Sequence, residues 1–268
     1  MFETIDQGLQ HAKNLFQQKG IDNPQLDAEV LLASILSYER ADLYLNRQQK
    51  LSEAEQTLFQ KYVERRCQHE PVAYITGYKE FWSIPIKVTP AVLIPRPETE
   101  MLVEKALEIL QKIYPTPTLP LQRGGIRILD LCTGSGCIIA ALAREWPEAR
   151  FTATDLSSKA LAVARENLGA YKDRVHFLQS DLFAQLGTEK FDLIVSNPPY
   201  LTSDLCKHLD LDIIKHEPML AIDGGSDGKQ ISDRILQQAG EHLHPHGFLV
   251  MELGPEILVY SYKDLWNN

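Results

Sequence analysis

Apolar positions in the first part of the chain recur at helical spacing. Ile5, Leu9, Ala12 and Phe16 fall on one face of a helix, and Gly20 follows where a C-terminal cap belongs. Pro24 opens a second amphipathic run through Leu26, Val30, Leu31 and Ile35. Ser52 and Glu55 have the spacing of a capping box ahead of Leu58, Phe59, Tyr62 and Val63. Pro71 ends this segment, which reads as a small helical bundle. From Tyr74 to Val88 the pattern shortens to aromatic and β-branched pieces (Ile75, Phe81, Trp82, Ile84, Ile86), which predict a β-hairpin linking two domains.

Residues 115–125, PTPTLPLQRGG, predict a surface loop. Beyond them the period alternates between strand and helix. Strands are expected at Arg127–Leu131, Phe151–Thr154, Val175–Leu178, Phe191–Val195 and Phe248–Leu253. Helices are expected at Ile138–Trp146, from Ala160 to Leu168, and at Ile231–Leu243. This alternation predicts an α/β domain with a mostly parallel sheet covered by helices.

Composition narrows the function classes. The chain has 268 residues, 44% hydrophobic and 24% charged, enough for a catalytic domain with a small companion. Its net charge of -9 argues against a phosphate-gripping nucleic-acid binder. The four cysteines, Cys67, Cys132, Cys137 and Cys206, form no C-x-x-C pair and read as reduced thiols. With no signal-peptide pattern and no long apolar run, the expectation is a cytoplasmic protein that does not engage membranes.

Two motifs carry chemistry. The strand ending at Leu131 runs into Cys132, Thr133, Gly134, Ser135 and Gly136 ahead of a helix, and Asp155 ends the next strand. A glycine turn admits close backbone approach, and an acidic strand end suits ribose hydroxyls, so a nucleoside-containing cofactor is expected. A nicotinamide dinucleotide fits less well, because Ile139 stands where the third Gly or Ala of G-x-G-x-x-G belongs. The second motif is Asn197-Pro198-Pro199-Tyr200 at the end of another strand. Its prolines remove two donors, leaving the Asn197 side-chain oxygen and the Pro198 carbonyl as acceptors. Such a corner can hold a planar –NH2 group and orient its nitrogen for in-line methyl transfer, with Tyr200 stacked on it and no metal required.

Four stretches resemble the release factor glutamine methyltransferases of the HemK/PrmC type: Leu93-Ile-Pro-Arg-Pro-Glu-Thr-Glu100, Asp130–Gly136, Ser180-Asp-Leu-Phe183 and Ser196–Tyr200. A fifth, Glu217–Gly228, adds to them. The resemblance reaches to about Gly254, and the IPRPETE run separates it from adenine-N6 nucleic-acid methyltransferases, which share N-P-P-Y.

The resemblance implies a Rossmann-like class I methyltransferase domain over 91–268, a hairpin linker over 74–90 and a helical release-factor-binding domain over 1–73. It implies S-adenosylmethionine as donor and, as acceptor, the glutamine of the Gly-Gly-Gln motif in class 1 release factors. It places Cys132 to Gly136 at the methionine end of the donor, Asp155 at the ribose, Asp181 and Leu182 at the adenine, and Asn197 to Tyr200 at the glutamine amide. Arg96 and Glu98 would brace the rim. Cys132 stands where many members carry Gly, and Leu182 where an aromatic is common. Family members continue beyond the strand ending near Leu253 with a helix and a closing pair of strands, so a shortened domain with an uncovered sheet edge is expected here. Two other readings remain: adenine-N6 methylation of nucleic acid, and a non-catalytic relative that only binds.

Three smaller features have plain readings. His242, His244 and His246 are taken as part of a helix-to-strand turn at Pro245 and Gly247 rather than as metal ligands. Tyr78, Phe81 and Trp82 are taken as packing within the hairpin rather than as a base-stacking platform. Cys137 is taken as a small buried residue.

Overall fold

A computed structural model describes residues 2–114 and 125–266. The loop expected at 115–125 therefore lies, except for Gly125, outside the described residues. In chain order the elements are α1 (Ile5–Gln18), α2 (Pro24–Leu36), α3 (Arg40–Leu45), α4 (Glu53–Cys67), α5 (Val72–Thr76), β1 (Tyr78–Phe81), β2 (Ile84–Lys87), α6 (Thr99–Ile113), β3 (Arg127–Leu131), α7 (Cys137–Glu145), β4 (Arg150–Asp155), α8 (Ser158–Asn167), β5 (Val175–Gln179), β6 (Phe191–Ser196), α9 (Leu211–His216), α10 (Gln230–Ala239), β7 (Leu243–Leu253), β8 (Glu256–Ser261) and α11 (Tyr262–Trp266). They form two compact units: Met1–Gly77 with Asp210–His216, and Tyr78–Leu209 with Glu217–Asn268. Among the described residues no helix is long and apolar enough to cross a membrane.

In the first unit, Ile5, Leu9, Ala12 and Phe16 of α1 are buried, as their spacing predicts. The capping box at the start of α4 forms: the Ser52 hydroxyl accepts from the Glu55 N–H, and the Glu55 carboxylate accepts from the Ser52 N–H. In α2 the buried face runs through Ala28, Leu31 and Leu32, while Leu26 is exposed. The expected stripe is turned because Glu29 also points inward, where its carboxylate accepts from Gln25, Arg40 and Tyr44. Tyr74 and Ile75 belong to α5 and not to the hairpin, since Pro71 at the N-cap starts a helical turn that Gly77 ends in the left-handed conformation.

Arg66 ties the later segment into this unit. Its side chain is 8% exposed and bridges Asp27 at 2.7 Å and Asp212 of α9 at 2.8 Å. Burial still raises the Asp27 carboxyl above its usual range, against the pull of Arg66. Arg66→Ala is therefore expected to destabilise the protein by about 2–4 kcal/mol, since it leaves two half-buried carboxylates facing one another; urea denaturation measures it.

The second unit carries a six-stranded sheet of order β5-β4-β3-β6-β7-β8, parallel except for β8. Both faces of β6 are buried, as expected of a central parallel strand. The α8 helix packs on β4 and β5, α6 on β6 and β7, and α11 on β7.

Two expectations are corrected. The edge of β7 is covered: Glu256–Ser261 folds back along it as β8 from Leu253↔Glu256 to Phe248↔Ser261, across the two-residue turn Gly254-Pro255. The helix-to-strand turn at Pro245 and Gly247 is instead part of β7. There two steps along β6, Phe191 to Leu193, match five along β7, Leu243 to Phe248, so the turn-forming residues swell the strand into a bulge. The histidines have ordinary partners: His242 stacks on Phe183, and His246 bonds Asp192 at 2.8 Å.

The β1–β2 hairpin turns through Trp82 and Ser83, both at positive φ (54° and 53°). The Trp82 backbone N–H donates to Glu100 at 2.7 Å and its indole N–H to Glu145 at 2.9 Å, so it fastens the hairpin to α6 and α7. Phe81 is buried beneath, and Tyr78 is exposed.

Candidate active site

The sheet order reverses direction at β3: the chain proceeds to β4 on one side and later crosses to β6 on the other. Ligand clefts of open α/β sheets form at the carboxyl ends of strands beside such a reversal. Register sets what meets there. Leu131 lies opposite Thr154 and Ser196, and Ser196 opposite Met251. One residue further along each strand, Asp155, Cys132, Asn197 and Glu252 form a row across four strand ends.

A cleft opens over the first three of these, Asp155, Cys132 and Asn197. Its lining includes Cys132, Thr133, Gly134, Ser135, Asp155, Asp181, Leu182, Asn197 and Pro199. Gly136, Pro198 and Tyr200 do not line it. Gly136 is the left-handed N-cap of α7 (φ 78°), and a Cβ there would come within 2.9 Å of Leu168. Pro198 is buried. Tyr200 is half-buried, and burial together with the nearby Glu252 raises its phenol.

Each lining residue has a local cause. The Asp155 carboxylate accepts from the Gly134 N–H at 2.9 Å and the Ser157 N–H at 2.8 Å, which locks the glycine turn to the end of β4. Burial raises this carboxyl above its usual range despite those bonds. Cys132 takes a left-handed φ of 59°, the conformation glycine adopts most readily, and burial pushes its thiol up. Cys137 is buried at the start of α7 with its thiol pushed up to about 12, so desolvation outweighs the helix terminus. Leu182 is also left-handed (φ 50°), and the Ser180 hydroxyl, donating to its carbonyl at 2.7 Å, braces it. Asp181 pairs with Arg234 at 2.9 Å.

Several site residues were not legible as such in the sequence. Thr99, first residue of α6, accepts the Asn197 Nδ2–H at 3.0 Å. Glu252, 1% exposed, follows Met251 and so lies beside Asn197 on the neighbouring strand, where burial raises its carboxyl above its usual range. Glu217 accepts from the Ile94 N–H at 3.1 Å and from Arg96 at 2.6 Å, joining the I-P-R-P segment to E-P-M-L. Arg96 lines the cleft; Glu98 precedes α6 and does not. Gly224 and Gly228 press backbone against the Asn-Pro-Pro-Tyr corner: a Cβ at Gly224 would stand 2.7 Å from the Pro199 oxygen, and one at Gly228 2.4 Å from that of Tyr200. The paired glycines of D-G-G-S-D-G were the available signal for this contact.

Residues 7–77 match the PrmC N-terminal domain, and residues 116–226 match the methyltransferase small domain. A release factor glutamine methyltransferase of Koribacter versatilis is 37% identical over 268 residues, which cover 99% of this chain and 92% of that protein. The chain belongs to the release factor glutamine methyltransferase family. A bifunctional methyltransferase of Rickettsia felis is 38% identical over 270 residues, 94% of this chain; the chain spans only 51% of that relative. Among solved structures, the hMettl16 catalytic domain in complex with the MAT2A 3'UTR hairpin 6 superposes with a TM-score of 0.50 at 15% identity, covering 77% of this chain and 71% of that one. That likeness shows the fold alone.

Beneath the glycine turn of this family member lies Asp130, fully buried. One carboxylate oxygen accepts from the Thr133 hydroxyl at 2.6 Å; the other has no partner among the described residues. Burial, with Asp155 adding repulsion, raises the carboxyl from 3.8 to about 7. A carboxyl raised on folding favours the folded state below its unfolded pKa, and that contribution is lost as pH rises through the folded value. Stability is thus expected to fall between about pH 4 and 7. Asp130→Asn, which keeps an acceptor for Thr133, should flatten that fall without removing it, because Asp27, Asp155 and Glu252 are raised too; melting temperatures across this range test it. Gly224→Ala should cost about 2–4 kcal/mol in denaturant titration, because the three nearest atoms to its Cβ are all backbone.

Proposed function

We propose that this chain transfers a methyl group from S-adenosylmethionine to the side-chain amide nitrogen of the glutamine in the Gly-Gly-Gln motif of class 1 release factors. Family membership supports the reaction class. The observation that carries the reading is that Asn197, Gly134 and Asp155 line one cleft, with Asn197 two strands from Asp155. Strands lie roughly 4.8 Å apart, so the span is about 10 Å, the reach of a nucleoside from its ribose to its 5′ substituent.

The residues present fit the donor. The Asp155 carboxylate, fixed by two backbone N–H groups, keeps lone pairs for the adjacent hydroxyls of a ribose. Leu156, Leu182 and Ile231 give an apolar wall suited to a base, with Asp181 beside it. Cys132 to Ser135 line the side toward Asn197, where the methionine end would sit. When bound, S-adenosylmethionine supplies a methyl carried on a sulfonium.

The chain's own work is placement. An amide nitrogen is a poor nucleophile, and its transfer geometry must be set by the site. The Asn197 –NH2 donates to the Thr99 hydroxyl, and Oδ1 is the atom that would accept an N–H from a bound carboxamide. That bond holds the acceptor nitrogen and favours positive charge developing on it. The buried Pro198 lies outside the lining, so the reading rests on Asn197 rather than on a proline carbonyl. We further assign the helical unit of residues 1–73 to holding the release factor.

The test uses the purified chain, S-adenosylmethionine carrying a labelled methyl, a class 1 release factor and, separately, duplex DNA. Label is expected in the release factor and not in DNA. Asn197→Ala should lower turnover by about a hundred-fold or more with donor affinity nearly unchanged. Unaltered turnover in that variant removes the role given to Asn197; label in DNA alone moves the chain to adenine methylation; donor binding without transfer to either leaves a binding relative.

A further inference from the structure

A glycine turn can take many backbone shapes, so a site built on one needs contacts that select a single shape. We propose that Asn167, the last residue of α8, is a positioning residue for the methyl donor: its carboxamide holds the Gly134-Ser135-Gly136 turn in its donor-binding shape and ties it to β2. The inference deepens the methyl-transfer reading and rests on it for the identity of the donor.

Three hydrogen bonds carry the argument. Asn167 Oδ1 accepts the Lys87 N–H at 2.8 Å. Its Nδ2 donates to the Lys87 carbonyl at 2.9 Å and to the Ser135 carbonyl at 2.8 Å. The two ends of an asparagine carboxamide are nearly the same size, and only their partners tell them apart. Here the partners are all backbone: an N–H can only donate and a carbonyl can only accept. Turned over, the group would set its oxygen against two carbonyl oxygens and its –NH2 against an N–H. The carboxamide thus pairs with Lys87 as a neighbouring strand would, and gives its second hydrogen to the turn.

The bond to Ser135 falls on a peptide unit that is held at its other end too. In the same peptide plane, the Gly136 N–H donates to the Thr133 carbonyl at 2.8 Å, so the plane cannot rotate without breaking both bonds. Packing closes on the same spot. A Cβ at Gly136 would lie 2.9 Å from Leu168 and 3.2 Å from Ala164, so the backbone of the turn rests directly on the C-terminal end of α8. Ala164 and Leu168 set the distance of the turn, and Asn167 sets its rotation. Gly134 and Ser135 line the cleft, whereas Asn167 does not. A turn that drifts would displace those lining groups and the Gly134 N–H that donates to Asp155 at 2.9 Å. The loss would fall on donor affinity and not on the Asn197 corner.

Binding and hydrogen exchange test this on the full chain. Asn167→Leu removes all three bonds. Asn167→Asp keeps the size and the acceptor for Lys87, but sets charge against both carbonyl oxygens. Each is expected to raise the calorimetric Kd for S-adenosylmethionine, and its KM, about ten-fold or more, with kcat at saturating donor within about two-fold of wild type. A merely structural loss would lower the active fraction, and so the apparent kcat, and leave Kd where it was. Without donor, the peptide spanning the turn should exchange its backbone hydrogens faster in both variants than in wild type. Glu166→Gln breaks the neighbouring pair with Lys87 Nζ and leaves the Asn167 bonds, so it should match wild type in Kd and in exchange. In wild type, the Asn167 –NH2 hydrogens should exchange far more slowly than those of exposed asparagines. Wild-type Kd in a folded Asn167 variant overturns the proposal, and so does fast –NH2 exchange in wild type, which needs no variant to fold. Donor binding that weakens in the variants, in a chain that transfers no methyl to release factor, would instead sink the methyl-transfer reading and leave the role of Asn167 standing.

Discussion

The site depends on parallel register. Four strands end at a common level because Thr154, Leu131, Ser196 and Met251 are held side by side by backbone hydrogen bonds. The next residue of each then emerges in one line: Asp155, Cys132, Asn197 and Glu252. Side chains alternate faces along a strand, so a slip of one residue anywhere in this block would exchange a functional group for its neighbour and turn it over. The buried, β-branched and leucine-rich interiors of β3 and β6 make such a slip costly, since it would move apolar groups out of a two-sided core. Chemical precision at the cleft is therefore inherited from packing well below it.

That arrangement is bought with local strain and buried charge. Cys132 and Leu182 occupy left-handed backbone that larger side chains disfavour. Asp130 and Glu252 are each buried with one oxygen lacking a partner among the described residues. Such features concentrate where structure serves chemistry rather than stability. Both carboxyls are raised by burial, and both stand directly behind cleft residues, Asp130 under the glycine turn and Glu252 behind Asn197.

Much of this is legible in the amino-acid sequence. Strands at Arg127–Leu131 and Phe191–Val195 follow from continuous apolar runs, and α1 and α4 from helical spacing and a capping box. The glycine turn, Asp155 and Asn-Pro-Pro-Tyr declare themselves by residue type at strand ends. What is not legible depends on tertiary contact. Nothing local marks Glu252, since a glutamate near a strand end has common structural uses, and Thr99, though inside the I-P-R-P-E-T-E run, gives no sign there of its contact with Asn197. Pro245 and Gly247 read as a turn because their local preference is strong, yet pairing of Leu243 and Phe248 with β6 on either side of them absorbs them as a bulge. The stripe expected on α2 is displaced by an inward-facing glutamate, which a count of apolar positions cannot foresee.

The hairpin between β7 and β8 has an evolutionary consequence. Its connection is only two residues, Gly254 and Pro255, with Gly254 in left-handed backbone, and the outer strand it returns shields the carboxylate behind the cleft. A slip of β8 by one residue against β7 would invert the inner and outer faces of Glu256–Ser261 and unseat Ile257 from beside Glu252. Variation in this bend is thus limited to lengths that keep the register, and the periphery of the sheet bears on a strand that ends beside the cleft.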